Sequence, residues 1–180
     1  ALMAVITLIA GYASAGWYMG KLGADAETAQ AGHAGRYGRR HRARRQGRVI
    51  GLDTNVVVRF LAQDDEVQSP IATRFINRLS AEKPGFVSAV VLAEITWVLS
   101  RAYKASRADI AAAVEGLLRA AELVVENAPA AYRALAVYRN AASAEFADAL
   151  IAETAALAGA GETVSFDARA ATELGMRLLR

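Results

Sequence analysis

Four acidic residues stand in company where an ionised carboxylate is least expected: Asp53, Glu94, Asp148 and Asp167. Asp53 sits in V-I-G-L-D-T-N, where mostly apolar residues pass into a carboxylate, a hydroxyl and an amide. Asp167 follows T-V-S-F, Glu94 is the only charge between Phe86 and Ser100, and Asp148 lies in F-A-D-A-L-I-A. Most other acids, such as Asp64-Asp65-Glu66, have polar neighbours and read as solvated surface. A carboxylate on an apolar face is costly unless it is paired or binds metal, and basic residues are scarce in these windows. Each acid alone has an ordinary reading: an N-cap for Asp53 or Asp167, a water-facing helix position for Glu94 or Asp148. Jointly that reading weakens. Two of the acids end apolar strands, and parallel strands bring such ends to the edge of a sheet where ligands bind. All four are therefore expected to converge there, Asp53 and Asp148 as direct ligands and Glu94 and Asp167 partly through water.

The remaining composition narrows the chemistry. The chain has no cysteine, and its two histidines, His33 and His41, lie far upstream of the acids. Thiolate catalysis, cysteine-ligated zinc and a disulfide framework are excluded, as are a Ser-His-Asp triad and a histidine general base for this part of the chain. Oxygen ligands alone select a hard cation, Mg²⁺ or Mn²⁺. Such an ion activates water and neutralises a phosphodiester during its hydrolysis. No G-x-x-x-x-G-K-[ST] loop and no G-x-G-x-x-G fingerprint occurs. A phosphoaspartyl phosphatase also begins with an acid at a strand end, but usually has a second Asp two residues on, where this chain has Asn55.

The elements that must position these acids alternate between strand and helix. The strand ending at Asp53 passes directly into V-V-V-R-F-L-A. Ser69 and Pro70 predict a helix start, and Ile71, Phe75, Ile76 and Leu79 repeat at helical spacing as a core-facing stripe. Lys83-Pro84-Gly85 breaks that helix, Phe86-Val87 reads as a strand, and Ser88 caps a long apolar helix. Ser106 with Asp109 forms a capping box. Leu123 to Val125 reads as the third strand, Pro129 opens a helix, Glu145 to Leu157 is helical, and Thr163 to Phe166 is a fourth strand. Gly175 to Leu179 reads as a last edge strand. Alternation of this kind predicts an α/β fold, a central parallel sheet with helices on both faces.

Charge divides the chain. Residues 1–47 hold seven of the 21 Lys and Arg but two of the 18 Asp and Glu, which leaves 14 positive and 16 negative residues in 48–180. The overall net charge of +3 therefore belongs to the tail. Residues 1–20 carry no charge and match the roughly 20 residues that span a bilayer, followed by a basic run from Arg36 to Arg48. Two readings stand for this segment: a membrane anchor, with membrane contact through residues 1–20, or upstream sequence from a misplaced start. The second is preferred, with a cytoplasmic protein whose domain is 48–180 and whose residues 1–47 lie outside it.

In order and spacing, L-D-T-N-V-V-V-R-F-L, V-L-A-E-I-T-W-V-L, F-A-D-A-L-I-A and V-S-F-D-A-R-A-A resemble the PIN-domain proteins, and most of all the VapC toxins of bacterial toxin–antitoxin pairs. The resemblance covers about residues 48–179. It implies a three-layer α/β/α sandwich and a Mg²⁺- or Mn²⁺-dependent endoribonuclease that cleaves RNA. It further implies a homodimer and a cognate antitoxin that occupies the acidic groove. Position by position, Asp53, Glu94, Asp148 and Asp167 match the family's four acids, and Thr54 and Asn55 its supporting polar pair. Glu145, where many relatives have Asp or a small residue, is a departure, as is the 47-residue N-terminal segment. A catalytically weak RNA- or protein-binding module of the same fold is the competing expectation.

Overall fold

The computed structural model describes residues 49–180, so the expectations for the apolar and basic tail lie outside the described residues. Within that range the chain forms two compact units. Residues 49–86 with 121–124 make the first, and residues 87–120 with 125–180 the second.

The first unit begins with β1 (Ile50–Gly51) and helix α1 (Thr54–Ala62), followed by α2 (Gln68–Ile76). Its sheet continues with β2 (Gly85–Val87) and β3 (Leu123–Val125), in the order β1-β2-β3. β1 and β2 run parallel, with Ile50 opposite Gly85 and Gly51 opposite Phe86. The Gly85 N–H donates to the Glu122 carbonyl at 2.9 Å, and the Glu126 N–H to the Val87 carbonyl at 2.8 Å. Those bonds advance the same way along both strands, as parallel pairing requires. Leu52, Val57, Val58, Leu79 and Leu123 are buried in this unit. Gly85 is closely packed: a Cβ there would lie 2.8–2.9 Å from methyl carbons of Leu52, Leu79 and Leu123, which would have to shift.

Helix α2 departs from expectation in two ways. Ser69 is not its N-cap. The helix starts at Gln68, and the Asp65 Oδ1 accepts from the N–H groups of Val67 (2.9 Å) and Gln68 (2.6 Å). Ser69 is buried in the first turn, its Oγ accepting from the Asp65 N–H. The acid three residues upstream has the stronger acceptor and so takes the orphan donors. The stripe is also only partly core: Leu79 is buried and Ile76 half-buried, but Ile71 and Phe75 are exposed, and the helix buries Ser69 and Ala72 instead.

The second unit holds α3 (Ala89–Arg101), α4 (Arg107–Arg119), α5 (Ala128–Asn140), α6 (Phe146–Leu157) and α7 (Ala168–Leu174). Ser88 caps α3 through its Oγ, and Ser106 with Asp109 forms the expected capping box of α4. Helices α5 and α6 pack closely on each other. Their contact includes an edge-to-face pair of Tyr138 and Phe146, both fully buried, with ring centroids 5.9 Å apart. Aromatic pairs of this geometry contribute about 0.5–1.5 kcal/mol beyond their buried area. The fourth strand, β4 (Val164–Ser165), does not join the three-stranded sheet. It pairs parallel with β5 (Arg177–Leu178) in a sheet of its own. The α/β class with parallel strands and flanking helices is as the sequence indicates.

Candidate nuclease site

Asp53 follows the first strand of the first unit, and its side chain closes the turn into α1. Its Oδ2 accepts from both the backbone N–H and the side-chain amide of Asn55, each at 3.2 Å. Asp53 is thus the N-cap, the ordinary reading of an acid in that place. It is also exposed, so its carboxylate remains open to solvent. Thr54 beside it is buried.

The other three acids belong to the second unit. Glu94 lies on α3 and is exposed, with Val90 and Trp97 exposed four residues before and three after it. Asp167 caps α7, its Oδ1 accepting from the N–H groups of Arg169 (2.7 Å) and Ala170 (3.3 Å). Those two bonds, Arg169 first, hold its pKa below the usual carboxylate range. Phe166, just before it, is 80 % exposed. Asp148 is half-buried at the third position of α6. Desolvation pushes its pKa up, opposed by a hydrogen bond from the Glu145 N–H and reinforced by the charges of Asp167 and Glu145.

Asp148 and Asp167 therefore stand close enough to feel one another, and their environments push them in opposite directions. Asp167 is stabilised as the anion. Of the four carboxylates Asp148 alone is half-buried, and desolvation is the largest influence on its pKa; Asp53, Glu94 and Asp167 are exposed. Among the described residues, no group of three or more His, Cys, Asp or Glu side chains lies close enough to hold a metal ion. The donor chemistry of the Asp148–Asp167 pair nonetheless fits a hard cation. Two carboxylates that repel each other gain from a positive charge between them, and Mg²⁺ keeps several waters, so two protein ligands suffice for it.

Three residues that the sequence reading passed over shape these helices. Glu126 follows β3 as Asp53 follows β1, and its Oε2 accepts from the Ala89 N–H at 2.9 Å, in the first turn of the helix that carries Glu94. The signal that singled out Asp53, an acid directly after an apolar strand, is present at L-V-V-E as well. Arg107 and Glu173 had no such signal. Arg107 donates to the carbonyls of Tyr138 (2.8 Å), Ala141 (3.1 Å) and Ala144 (2.9 Å), and its guanidinium lies 4.0 Å from the centroid of the Tyr138 ring. Glu173 accepts from the Ser143 hydroxyl at 2.6 Å and from the N–H groups of Ser143 (3.0 Å) and Ala144 (2.9 Å). With that hydroxyl and those N–H groups its pKa is lowered to about 2. One cation and one anion thus grip opposite polar groups of the segment 141–144 that leads into α6.

The model of the PIN domain matches residues 50–172. The chain belongs to the PIN domain family. This is generally a nuclease fold whose members act on nucleic acid and generally use divalent metals. Comparison with curated proteins and with solved structures gave no match.

Proposed function

We propose that the chain is a Mg²⁺- or Mn²⁺-dependent endoribonuclease, the toxin of a toxin–antitoxin pair, with 48–180 as its catalytic domain and residues 1–47 outside it. The observation that carries the reading is the match of residues 50–172 to a nuclease family, supported by the carboxylates of Asp148 and Asp167 at helix starts. Asp53, Glu94, Asp148 and Asp167 are the residues that would hold the cation, with Thr54 and Asn55 in support. When bound, such an ion supplies charge for the phosphodiester and makes water a nucleophile near neutral pH. The protein's own part is to orient: the Asn55 amide and N–H hold the Asp53 carboxylate, and the Arg169 and Ala170 N–H groups hold that of Asp167. A carboxylate of the set accepts or directs the water's proton, because no histidine lies in residues 48–180.

One surface feature supports protein partners. Val67, Ile71 and Phe75 are exposed at four-residue intervals on and beside α2, a stripe suited to a partner helix. A cognate antitoxin and a second copy of the chain are the proposed protein partners, RNA the substrate, and the cytoplasm the place of action. Among the described residues no helix is long and apolar enough to cross a membrane.

Mapping RNA ends in cells after induction of the intact chain and of Asp53→Asn tests the reading. New, discrete cleavage sites with the first and none with the second are expected. Identical maps from both would leave a PIN-fold binding module without cleavage as the better description.

A further inference from the structure

Asp148 and Asp167 belong to different elements, and one side chain ties those elements together. Asp167 caps the start of α7, and Asp148 is the third residue of α6. Glu173 stands in the last turn of α7, where its Oε1 accepts from the Ser143 hydroxyl at 2.6 Å and its Oε2 from the N–H groups of Ser143 (3.0 Å) and Ala144 (2.9 Å). Ala144 immediately precedes Glu145, the N-cap of α6. A carboxylate at the end of α7 therefore holds the peptide groups from which α6 departs. The carbonyls of the same segment are held by Arg107, the first residue of α4, through Ala141 (3.1 Å) and Ala144 (2.9 Å). The segment is thus anchored to α4, and Glu173 hangs α7 on it. With seven residues, α7 spans only about 10 Å at about 1.5 Å per residue, so an anchor at its end governs its start. The Arg169 and Ala170 N–H groups fix the Asp167 carboxylate to α7, not α7 to the domain. Buried Ala170 contributes apolar packing, which is non-directional; hydrogen bonds to a carboxylate are short and directional.

We propose that Glu173 is a positioning residue for the nuclease site: by fixing the end of α7 to the start of α6, it sets how the carboxylates of Asp167 and Asp148 stand toward one another and toward a divalent cation. The inference rests on the metal-dependent reading above. Groups that share a cation must be held within about 0.5 Å of their working geometry, and a short helix free to pivot on apolar contacts alone does not meet that demand.

Three variants test this. Glu173→Ala removes every bond to the segment, and Ser143→Ala removes the hydroxyl bond alone. Tyr132→Phe is the control: it removes a hydrogen bond from the same unit, that of the Tyr132 hydroxyl to the Leu118 carbonyl at 3.1 Å, without touching α6, α7 or residues 141–144. Two measurements are made on the full chain, well below each thermal midpoint. The first is calorimetric titration with Mn²⁺ alone. The second, without metal, is the distance between spin labels on Ile151→Cys in α6 and Thr172→Cys in α7. Both positions are exposed, and the chain has no cysteine to compete for label. Glu173→Ala is expected to broaden the label distances and to weaken Mn²⁺ binding by about tenfold or more, as loss of an outer partner does. Ser143→Ala should do both to a lesser degree, and Tyr132→Phe neither. An unchanged Mn²⁺ affinity in Glu173→Ala, or the same losses in Tyr132→Phe, would overturn the proposal and leave Glu173 a merely structural residue. Broadened label distances in Glu173→Ala, with no Mn²⁺ binding even by the wild type, would uphold the hold of Glu173 on the two helices and overturn the metal-dependent reading instead.

Discussion

Asp53 and Asp148 are both carboxylates at the start of a helix, yet the chain holds them by opposite means. Both hydrogen bonds to the Asp53 carboxylate come from Asn55, two residues away, and the residue lies open to solvent. Asp148 is half-buried, and the segment that leads into its helix is held by Arg107, 37 positions before Ala144, and by Glu173, 29 positions after it. A local cap needs only the right residue type in the right place. A half-buried acid needs a built surrounding, because desolvation works against its charge. The difference teaches that one set of aligned acids can be assembled from parts of very different cost and legibility.

Replacing each acid with Asn separates the two. Cleavage should fall by about 10²–10³ in Asp53→Asn and in Asp148→Asn alike, since either removes a charge from the proposed site. Stability should divide them. Asn is as good an N-cap as Asp, so Asp53→Asn is expected to leave the thermal midpoint unchanged. The Asp148 carboxyl has a raised pKa in the folded chain, mainly through desolvation. Its ionised form therefore costs stability at neutral pH, and that cost fades as pH falls through the folded value to the ordinary one. Metal-free Asp148→Asn should melt higher than wild type at pH 7, with the gain shrinking towards pH about 4. Equal midpoints for the two variants at pH 7 would break the comparison.

Glu173 gives an effect of opposite sign. Its pKa is lowered from 4.5 to about 2, so the stability it contributes is present above 4.5 and is lost as pH falls towards 2. Glu173→Gln should melt below wild type at pH 7 and converge with it in acid. A pH-independent difference would show that the Ser143 and Ala144 bonds do not depend on the charge.

In the first unit, Gly85→Ala should cost about 1–3 kcal/mol by overpacking. Three leucine methyl carbons would have to withdraw from the new Cβ. Urea unfolding would register this as a lower midpoint with an unchanged slope, and cleavage well below that midpoint should persist. The smallest effect is expected from removing residues 1–47, which should leave the thermal midpoint in place. A fall of several degrees would show that the domain does not end near residue 48.

The strands at Leu123–Val125 and before Asp53, and the caps at Ser88 and at Ser106 with Asp109, were legible because each is decided by residues within a few positions. So was the acid at Asp167, whose cap bonds reach no further than Ala170. Helix α2 was misread for the same reason in reverse. Ser69-Pro70 is a sound local start, but Asp65 caps the chain at Val67 and Gln68, so the helix begins before Ser69. The spacing of Ile71 and Phe75 says that a stripe exists, not which way it faces, and both are exposed. Arg107 and Glu173 were invisible because long-range pairing leaves no periodicity to read. The separation of β4 and β5 from the main sheet is likewise a matter of which strands pair, and alternation alone does not decide it.

The end groups of cleaved RNA test the central claim most directly. Purified chain is incubated with RNA and Mn²⁺ or Mg²⁺, with and without excess EDTA, and the new termini are identified. Water attack assisted by a cation held on carboxylates leaves a 5′-phosphate and a 3′-hydroxyl, and EDTA should abolish it. A 2′,3′-cyclic phosphate, or full cleavage in excess EDTA, would contradict the account.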